Sequence, residues 1–390
     1  MITTENWASA LVAAGYRFAA GVPCSSLAPL QNFCQNMPEV TYVAAPNEGM
    51  AVAVAAGAAM TGQKSLVFMQ NSGLGNAVNP LTSLVEPFKV PTLLVTSWRG
   101  KPGTKDEPQH TRMGLSTHAL LDAVNILWFE LPEDDEGALA QLREAIRTAE
   151  TGRRCAAIIV PDGRFTKVMD QSSQLPTPQR GYFTDLREGG EGPTRFEVLE
   201  KLTKDVSGGT LKIATTGKTG RELFVANDGP QNLYVVGSMG LASSIGLGMS
   251  MASDNPIMIL DGDGAALMHL GAMPMIAAYA PRSFIHLLLD NGCYDSTGAQ
   301  RSLSGSVPFA EMAARCGYSA SFCVDSINGL SEALAANPGE GPVFVHARIR
   351  PGSLANLPRP DKTPVEVLQR LQLHFGFNAL AEPKLMSTNA

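Results

Sequence analysis

Charged and aromatic residues are both scarce in this sequence of 390 residues. Asp, Glu, Lys and Arg make up 17% of it and aromatic residues 6%, whereas hydrophobic residues make up 44%. This balance excludes an intrinsically disordered chain, which combines high charge with low hydrophobicity. With 38 glycines, the composition favours α/β folds with closely packed helices. The length predicts two or three domains with large buried cores.

An excess of positive charge and a membrane-spanning segment are also missing. The formal net charge is −6 and the pI about 5.6, which excludes a general basic surface for nucleic acid or acidic lipid. The longest apolar run is too short to cross a bilayer, and no basic residue precedes Arg17 as an export signal would require. We therefore expect no nucleic-acid or membrane partner.

Paired cysteine motifs are absent as well. The six cysteines form no CxxC pair and mostly lie in apolar context, so neither a zinc site nor a disulfide framework is indicated. Free thiols fit a reducing compartment, and the sequence predicts a cytoplasmic protein.

Short apolar runs alternate with helical patterns along the whole chain, as is typical of parallel strands buried on both faces. The predicted strands are residues 18–22, 41–45, 65–70, 91–97, 126–131 and 155–160, then 211–216, 232–238, 256–262, 283–290, 319–324 and 342–349. Between the two sets the pattern lapses into a stretch rich in Pro, Gly, Gln and Ser. The sequence therefore predicts two doubly wound parallel-sheet α/β domains, residues 1–165 and 194–390, joined by a linker over residues 166–193.

Two phosphate-binding motifs are each incomplete, because one required glycine is missing. A Walker A loop in TTGKTG (residues 215–220) needs a glycine where Lys212 stands. A dinucleotide fingerprint in NSGLGNAV (residues 71–78) needs a third glycine where Val78 stands. A glycine turn that approaches some other ligand stays open for the second stretch.

A Gly-Asp-Gly turn and an Asp-Asn-Gly turn close two successive predicted strands of the second half. Because ligands bind beyond the carboxyl ends of strands in such sheets, Asp263 and Asn291 should emerge side by side. Their oxygens suit Mg²⁺ or Ca²⁺, and Gly262 and Gly264 would let a phosphate approach the backbone. Two ordinary turns are the alternative.

This Gly-Asp-Gly…Asn spacing resembles the signature of thiamine-diphosphate enzymes. The resemblance covers nearly the whole chain, as a pyrimidine-binding half and a diphosphate-binding half without the middle domain of larger members. It implies thiamine diphosphate and Mg²⁺ as cofactors, with the metal held by Asp263, the Asn291 side chain and the Cys293 carbonyl. The family often has Asn where this chain has Asp290, but the ligand is the second residue of that pair.

The stretch VGSMG (residues 236–240) resembles the turn that supports the bent cofactor in this family. Met239 matches the apolar side chain that wedges between the two cofactor rings, and Gly237 lies in the same turn. A core methionine is the alternative. The resemblance also implies cofactor contacts at Thr216 and Gly217, which follow a predicted strand.

Glu48 stands directly before a dozen residues without charge. An acid in the first turn of a buried helix is favoured by the helix dipole, which is the plain alternative. In the family, an acid after the second strand hydrogen-bonds the aminopyrimidine ring of the cofactor, and the resemblance implies that Glu48 is this catalytic acid. Desolvation by its Ala, Val and Met neighbours would raise its pKa for that exchange.

Five potential cations gather after the fourth predicted strand of an otherwise acidic chain, opposed by two acids: Arg99, Lys101, Lys105, His110 and Arg112. A solvated surface loop is one interpretation. The other is substrate capture, in which Arg99, Lys105 and His110, with Ser25 from the turn after the first strand, bind an anionic substrate.

Short two-domain members of the family that act on small anionic 2-oxo acids resemble this chain most. The resemblance implies decarboxylation of 3-phosphonopyruvate to phosphonoacetaldehyde and CO₂ through a thiamine-diphosphate ylid, in phosphonate biosynthesis. Sulfopyruvate decarboxylation, acetolactate-type carboligation and a non-catalytic partner subunit are the alternatives. A homodimer or larger homo-oligomer with sites at the subunit interface is also implied, because the two halves that face one cofactor come from different subunits in this family.

Overall fold

The computed structural model describes residues 1–171, 177–336 and 341–377. These residues fall into two compact units, residues 1–171 and the described residues from 177 onward. None of the helices in these ranges is long and apolar enough to cross a membrane.

The first unit is a parallel sheet whose strands are connected through helices. Its strands are β1 (Tyr16–Gly21), β2 (Thr41–Ala44), β3 (Lys64–Met69), β4 (Thr92–Trp98), β5 (Leu127–Glu130) and β6 (Cys155–Pro161). Its helices are α1 (Thr4–Ala13), α2 (Ala28–Asn36), α3 (Glu48–Met60), α4 (Leu74–Pro80), α5 (Glu86–Phe88), α6 (Thr111–Ala123) and α7 (Asp135–Gly152). Short 3₁₀ turns span Asn71–Gly73 and Pro108–His110, and a π-helical turn spans Leu81–Val85. The strand order is β2-β1-β3-β4-β6-β5 with parallel pairs throughout.

Burial explains why these runs become strands and why α3 lies against them. All residues of β4 and β6 are buried, as expected for central strands covered on both faces. Asn47 caps α3 by accepting a hydrogen bond from the backbone N–H of Gly49, and every residue from Gly49 to Met60 is buried. Small side chains let α3 pack closely on β1 and β3. The helix therefore starts with Glu48 at the carboxyl edge of the sheet.

The second unit repeats this plan. Its strands are β7 (Tyr182–Asp185), β8 (Leu211–Ala214), β9 (Asn232–Tyr234), β10 (Ile257–Gly262), β11 (Phe284–Asp290), β12 (Cys293–Tyr294), β13 (Gln300–Arg301), β14 (Ala320–Val324) and β15 (Val343–Arg348). Its helices are α8 (Arg195–Asp205), α9 (Lys218–Ala226), α10 (Ala242–Ala252), α11 (Asp263–Met268), α12 (Ala272–Tyr279), α13 (Phe309–Cys316), α14 (Ile327–Ala335) and α15 (Pro364–Phe375), with a 3₁₀ turn at Ser304–Ser306. The main sheet has the order β7-β14-β15-β11-β10-β8-β9 and parallel pairs, and β12 and β13 form a small antiparallel pair.

The two doubly wound parallel sheets confirm the predicted fold class, and each of the twelve predicted strands overlaps an observed one. Strand β7 was not predicted. It lies inside the predicted linker of residues 166–193 and pairs with β14 at the edge of the second sheet. At the start of that stretch, Asn32 Nδ2 donates a hydrogen bond to the Val168 carbonyl at 2.9 Å, so residues near 168 pack on the first unit. The domain limits 1–165 and 194–390 stay predictions, and residues 378–390 lie outside the described part.

Candidate active site

The first sheet reverses its strand order between β1 and β3, because β2 lies on one side of β1 and β3 on the other. Such a reversal opens a crevice at the carboxyl edge that α/β proteins use for ligands. Cys24 follows β1 and Gln70 follows β3 at this point. The Cys24 Sγ lies 3.8 Å from Gln70 Oε1 and 3.5 Å from Ser97 Oγ, so polar side chains from three strands meet at this edge.

Glu48 lies at the same edge and is half-buried within the first unit. Its Oε2 accepts a hydrogen bond from Asn76 Nδ2 of α4 at 2.8 Å. On the other side it lies over Gly73, where an added Cβ would be 2.5 Å from Glu48 Cγ and closer still to the carboxylate. The glycine turn singled out in the sequence therefore makes room for Glu48. One carboxylate oxygen is held by an amide, and the other faces a residue without a side chain.

Asp106 lies at the centre of the basic loop. This central position was not predicted from the sequence. Its carboxylate accepts two hydrogen bonds from Arg99, from Nε at 2.9 Å and from Nη2 at 2.6 Å. It also contacts His110 Nδ1 at 2.8 Å and accepts from the backbone N–H groups of Gly100 and Glu107. The hydrogen bonds from Arg99, followed by the contact with His110, hold the pKa of Asp106 well below its ordinary value. The carboxylate fills the guanidinium fork that a substrate acid group would use.

The predicted substrate residues fall into two groups. Arg99 Nη1 donates to Ser25 Oγ at 3.1 Å, so Ser25, Arg99 and His110 come together around Asp106. Buried Asn71 fixes the backbone of Arg99, donating to its carbonyl at 2.8 Å and accepting from its N–H at 3.2 Å. Lys105 is exposed and makes no ion pair with any residue that the structure describes. No contact among the described residues of the first unit supports the predicted role of Lys105 in substrate binding.

A cavity of about 210 Å³ lies at the carboxyl edge of the second sheet, at the reversal of strand order between β8 and β10. Eight of the predicted cofactor and metal residues line it: Thr216, Gly217, Met239, Gly262, Asp263, Gly264, Asn291 and Cys293. Gly237 lies in the same turn as Met239 but is not among the described residues that line the cavity. The structure therefore brings together residues from four strand ends that are far apart in the sequence.

The expected metal ligands offer oxygens of three kinds in this cavity. The Asp263 side chain is almost fully buried and accepts a hydrogen bond from Ser302 Oγ. Burial raises the pKa of Asp263, because the ionised form loses hydration. A divalent cation would favour the ionised form again. Asn291 adds an amide oxygen and Cys293 a backbone carbonyl, so the set matches the oxygen preference of Mg²⁺.

Asp290 stands where the family often has Asn, and the structure gives a reason for the acid. Its Oδ2 lies 2.8 Å from His346 Nε2, and its Oδ1 accepts from Ser304 Oγ at 2.7 Å. Burial alone would raise the pKa of Asp290, but the hydrogen bonds from His346 and Ser304 lower it. Burial alone would lower the pKa of His346, but the hydrogen bonds with Asp290 and Cys323 outweigh burial and raise it. Asp290 is thus paired within the sheet and leaves the ligand position to Asn291.

An ion network in the wall of the cavity could not be found from the sequence: Arg195 and Asp295 line the cavity, and Glu222 is buried beside Arg195. Arg195 Nη2 donates to Asp295 Oδ2 at 2.5 Å, and Nη1 donates to Glu222 Oε2 at 3.4 Å. Asp295 Oδ2 also accepts from Asn291 Nδ2 at 2.7 Å. Burial alone would raise the pKa of Asp295, but the bonds from Arg195 and from the Cys293 thiol lower it. Arg195 lies 27 residues before Glu222 and 100 residues before Asp295. No spacing rule joins residues so far apart, so only the fold reveals the network.

The cavity fits a diphosphate next to a cation. Helix α9 begins after Gly217, which has a φ of 98° and no side-chain cap, so the first backbone N–H groups of the helix are available to an anion. An added Cβ at Gly262 would meet nothing nearer than 3.9 Å, which leaves that side open. At Gly264 it would lie 2.9 Å from Tyr294 Cδ1, so this glycine makes room for Tyr294. Among the described residues no group of three or more His, Cys, Asp or Glu could hold a metal, and the expected ligand set is not of that kind.

A second cavity of about 430 Å³ adjoins the first and shares Thr216, Gly217 and Ser296 with it. Its basic lining residues, also missed from the sequence, are Arg221, Arg359 and Lys362. Arg221 is occupied by the carbonyls of residues 357 and 358, and Lys362 by Asp228 and Asp361. Arg359 is exposed and makes no ion pair within the described ranges.

Two family descriptions match the chain. "Thiamine pyrophosphate enzyme, N-terminal TPP binding domain" matches residues 1–120, and "Thiamine pyrophosphate enzyme, C-terminal TPP binding domain" matches residues 216–347. The chain belongs to the thiamine pyrophosphate enzymes. Thiamine pyrophosphate and thiamine diphosphate are the same cofactor, so the family inferred from the Gly-Asp-Gly…Asn spacing is confirmed. The matched ranges include Glu48 in one half and the predicted metal ligands in the other.

Similar proteins of known name indicate to which group of thiamine pyrophosphate enzymes this chain belongs. Phosphonopyruvate decarboxylase of Streptomyces viridochromogenes is 40% identical over 381 residues, which cover 95% of this chain and 94% of the relative. Sulfopyruvate decarboxylase of Methanosarcina acetivorans is 29% identical over 386 residues, which cover 92% of this chain and 94% of that relative. The solved structure of benzoylformate decarboxylase from Polynucleobacter necessarius has the same fold, with a TM-score of 0.68 and 11% identity over 91% of this chain and all of that one. The chain is thus a member of the thiamine-pyrophosphate-dependent decarboxylases.

Proposed function

We propose that this enzyme converts 3-phosphonopyruvate into phosphonoacetaldehyde and CO₂, as a step of phosphonate biosynthesis. The observation that carries the proposal is the 40% identity, over 95% of the chain, to a decarboxylase named for that substrate. The relative named for sulfopyruvate covers the chain almost as fully but at 29% identity. Sulfopyruvate is therefore the second candidate substrate.

Residues of the second unit would hold the cofactor and its metal. Asp263, the Asn291 amide and the Cys293 carbonyl would bind Mg²⁺, and Thr216 and Gly217 would contact the diphosphate. Met239 would support the cofactor from the side of the turn that it occupies. When bound, thiamine diphosphate supplies a nucleophilic carbon and an acceptor for the electrons that the departing CO₂ leaves behind. The contribution of this chain is to bind, orient and shield the reacting groups.

Glu48 would hold and transfer the proton that activates the cofactor. The amide of Asn76 holds Oε2 by a hydrogen bond of 2.8 Å, so Oε1 is the oxygen that can exchange a proton. Gly73 lets the carboxylate lie close to the backbone. A general acid–base group of this kind accounts for rate factors of about 10² to 10⁴.

The substrate carries a carboxylate and a phosphonate, and both need cations or donors. Ser25, Arg99 and His110 form a contiguous group at the carboxyl edge of the first sheet, and we assign them to the acid groups of the substrate. Asp106 pairs with Arg99 and contacts His110 before substrate arrives. A phosphonate that is to use the Arg99 fork must displace this carboxylate, whereas Lys105 can add its charge without losing a partner.

A side-by-side assay tests the assignment. We expect purified protein with saturating thiamine diphosphate and Mg²⁺ to release CO₂ from phosphonopyruvate with the highest kcat/KM, from sulfopyruvate with a lower value, and from pyruvate with the lowest. Equal or higher kcat/KM for sulfopyruvate would transfer the assignment to that substrate. Acetolactate formed from pyruvate would indicate a carboligase, and no CO₂ from any 2-oxo acid would indicate a non-catalytic partner subunit.

We further propose that the active form is a homodimer or a larger homo-oligomer in the cytoplasm. The six cysteines are all free thiols, which supports a reducing compartment. Light scattering measures the assembly directly. Mixing Glu48→Gln protein with Asp263→Ala protein should restore part of the activity if one site uses residues from two chains. Activity that stays absent after verified subunit exchange would count against shared sites.

A further inference from the structure

Asp295 accepts hydrogen bonds from two of the residues proposed to hold the metal. The Asn291 Nδ2 donates to its Oδ2 at 2.7 Å, and the Cys293 Sγ donates to its Oδ1 at 3.3 Å. Asp295 is not itself among the proposed ligands. One carboxylate thus contacts two of the three residues proposed to hold the metal.

Buried groups from distant parts of the chain fix this carboxylate. Arg195 Nη2 donates to Oδ2 at 2.5 Å, and the backbone N–H of Gly352 donates to Oδ1 at 3.3 Å. The other side of the guanidinium faces Glu222, which is fully buried and accepts from the backbone N–H of Leu354 at 3.0 Å. A buried charge with this many partners has little freedom to move, because removing any partner leaves an uncompensated group.

The identity of the Asn291 atom that faces the metal follows from this arrangement. An ionised carboxylate can only accept hydrogen bonds, so the NH₂ end of the Asn291 amide must face Asp295. The oxygen end then faces away from Asp295, where it accepts a hydrogen bond from the backbone N–H of Cys293 at 3.3 Å and keeps a second lone pair for a cation. A rotation of the amide by half a turn would oppose two acceptors at 2.7 Å and point N–H donors at a cation.

We propose that Asp295, held in place by Arg195, is a positioning residue that keeps the amide oxygen of Asn291 turned toward the metal. The inference rests on the proposed function, since it presumes that Asn291 binds the metal. Groups behind the ligands of a metal site commonly change its affinity by about 10- to 100-fold when they are removed. Asp295 should therefore control metal affinity without taking part in the reaction.

Metal affinity is the direct test, with Mn²⁺ as the probe and free Mn²⁺ counted by electron paramagnetic resonance at saturating thiamine diphosphate. In Asp295→Asn, the new amide can donate to Asn291 and allow it to rotate. We expect the dissociation constant for Mn²⁺ to rise by about 10- to 100-fold. At saturating Mn²⁺ the turnover of this variant should approach that of the wild type. An unchanged dissociation constant would overturn the inference.

An exchange of the two side chains separates orientation from general damage. Asn291→Asp alone places two carboxylates against each other and should bind Mn²⁺ poorly. Combined with Asp295→Asn, it again pairs an amide donor with a carboxylate and presents an oxygen to the metal. We expect the double variant to regain most of the lost affinity, which a purely structural role of Asp295 would not produce. No recovery in a folded double variant would refute the positioning role.

Glu222→Gln is the matched control, because Glu222 belongs to the same buried network but contacts neither Asn291 nor Cys293. It should lower the melting temperature and leave Mn²⁺ affinity within about twofold of the wild type. An equal loss of affinity in both variants would mean that any loosening of the network matters, and would refute the specific role. Should Asp295→Asn fail to fold, Arg195→Lys, which loses the planar fork, should weaken Mn²⁺ binding in the same direction; unchanged binding there would overturn the inference. Wild-type protein that binds no Mn²⁺ with thiamine diphosphate would overturn the metal assignment itself.

Discussion

Gly73→Ala is the substitution that most directly tests the placement of Glu48. The backbone of Gly73 has a φ of −74° and a ψ of −12°, which alanine adopts without strain. The added Cβ, however, would lie 2.5 Å from Glu48 Cγ, whereas carbon atoms pack at about 3.5 Å or more. Glu48 must therefore retreat by about 1 Å. A catalytic group misplaced by that distance can lose a factor of about 10², equivalent to about 2.7 kcal/mol of activation free energy.

The assay is kcat for phosphonopyruvate at saturating thiamine diphosphate and Mg²⁺, together with the melting temperature of each variant. Gly75→Ala is the matched control, because an added Cβ there meets nothing within 4 Å; it should keep wild-type turnover. In a Glu48→Gln background, Gly73→Ala should cost little more, since the displaced carboxylate is already gone. If Gly73→Ala turns over as fast as Gly75→Ala, Glu48 is not placed as described or does not take part in catalysis.

Four further predictions concern single side chains. Glu48→Gln should still bind thiamine diphosphate in a calorimetric titration but lose about 10²- to 10⁴-fold in kcat; near-normal turnover would contradict its role. Asp263→Ala should weaken binding of both Mg²⁺ and thiamine diphosphate, because the diphosphate loses its bridge to the protein, and unchanged calorimetric affinities would refute this. Asp106→Asn should lower the melting temperature at pH 7. Since the folded pKa of Asp106 lies below the unfolded value of about 3.9, the wild-type advantage should shrink as the pH falls below about 4, and an advantage independent of pH between 7 and 3 would argue against the ion pair. Lys105→Ala should reduce kcat/KM for phosphonopyruvate by about ten- to a hundredfold but spare pyruvate, and if the loss appears in Arg359→Ala instead, the phosphonate binds in the second cavity.

The fold could be predicted from the sequence because the order of apolar and polar residues along the chain is enough to locate most strands. Runs such as residues 155–160 are apolar throughout and too short for a buried helix, which is typical of strands covered on both faces. Strand β7 was not predicted because its residues are mostly exposed and form no apolar run. Three of its four residues are exposed and it forms an edge of the sheet, so tertiary pairing with β14, rather than an apolar run, makes it a strand.

The sequence could predict where the proposed metal ligands lie in the fold, but not which residues contact them. Asp263 and Asn291 each follow directly after a strand, so strand order alone brings them to one edge. The partners of these residues obey no such rule. Ser302 reaches Asp263 from the stretch after β13, and Arg195 reaches Asp295 from the first turn of α8. Contacts of this kind depend on side-chain directions in the folded protein, which no spacing encodes.

Charge counting along the sequence overstated the number of unpaired cations in the basic loop. Five potential cations in fourteen residues suggested an anion site, with two acids against them. In the structure Asp106 pairs with Arg99 and contacts His110, and Glu130, distant in sequence, pairs with Lys101 at 2.5 Å. The loop is therefore less positive than its composition indicates, and the second unit holds an exposed Arg359 beside the cofactor cavity. Specificity for an anionic substrate thus depends on which cations lack an internal partner, because an acid group gains most from a charge that it need not compete for.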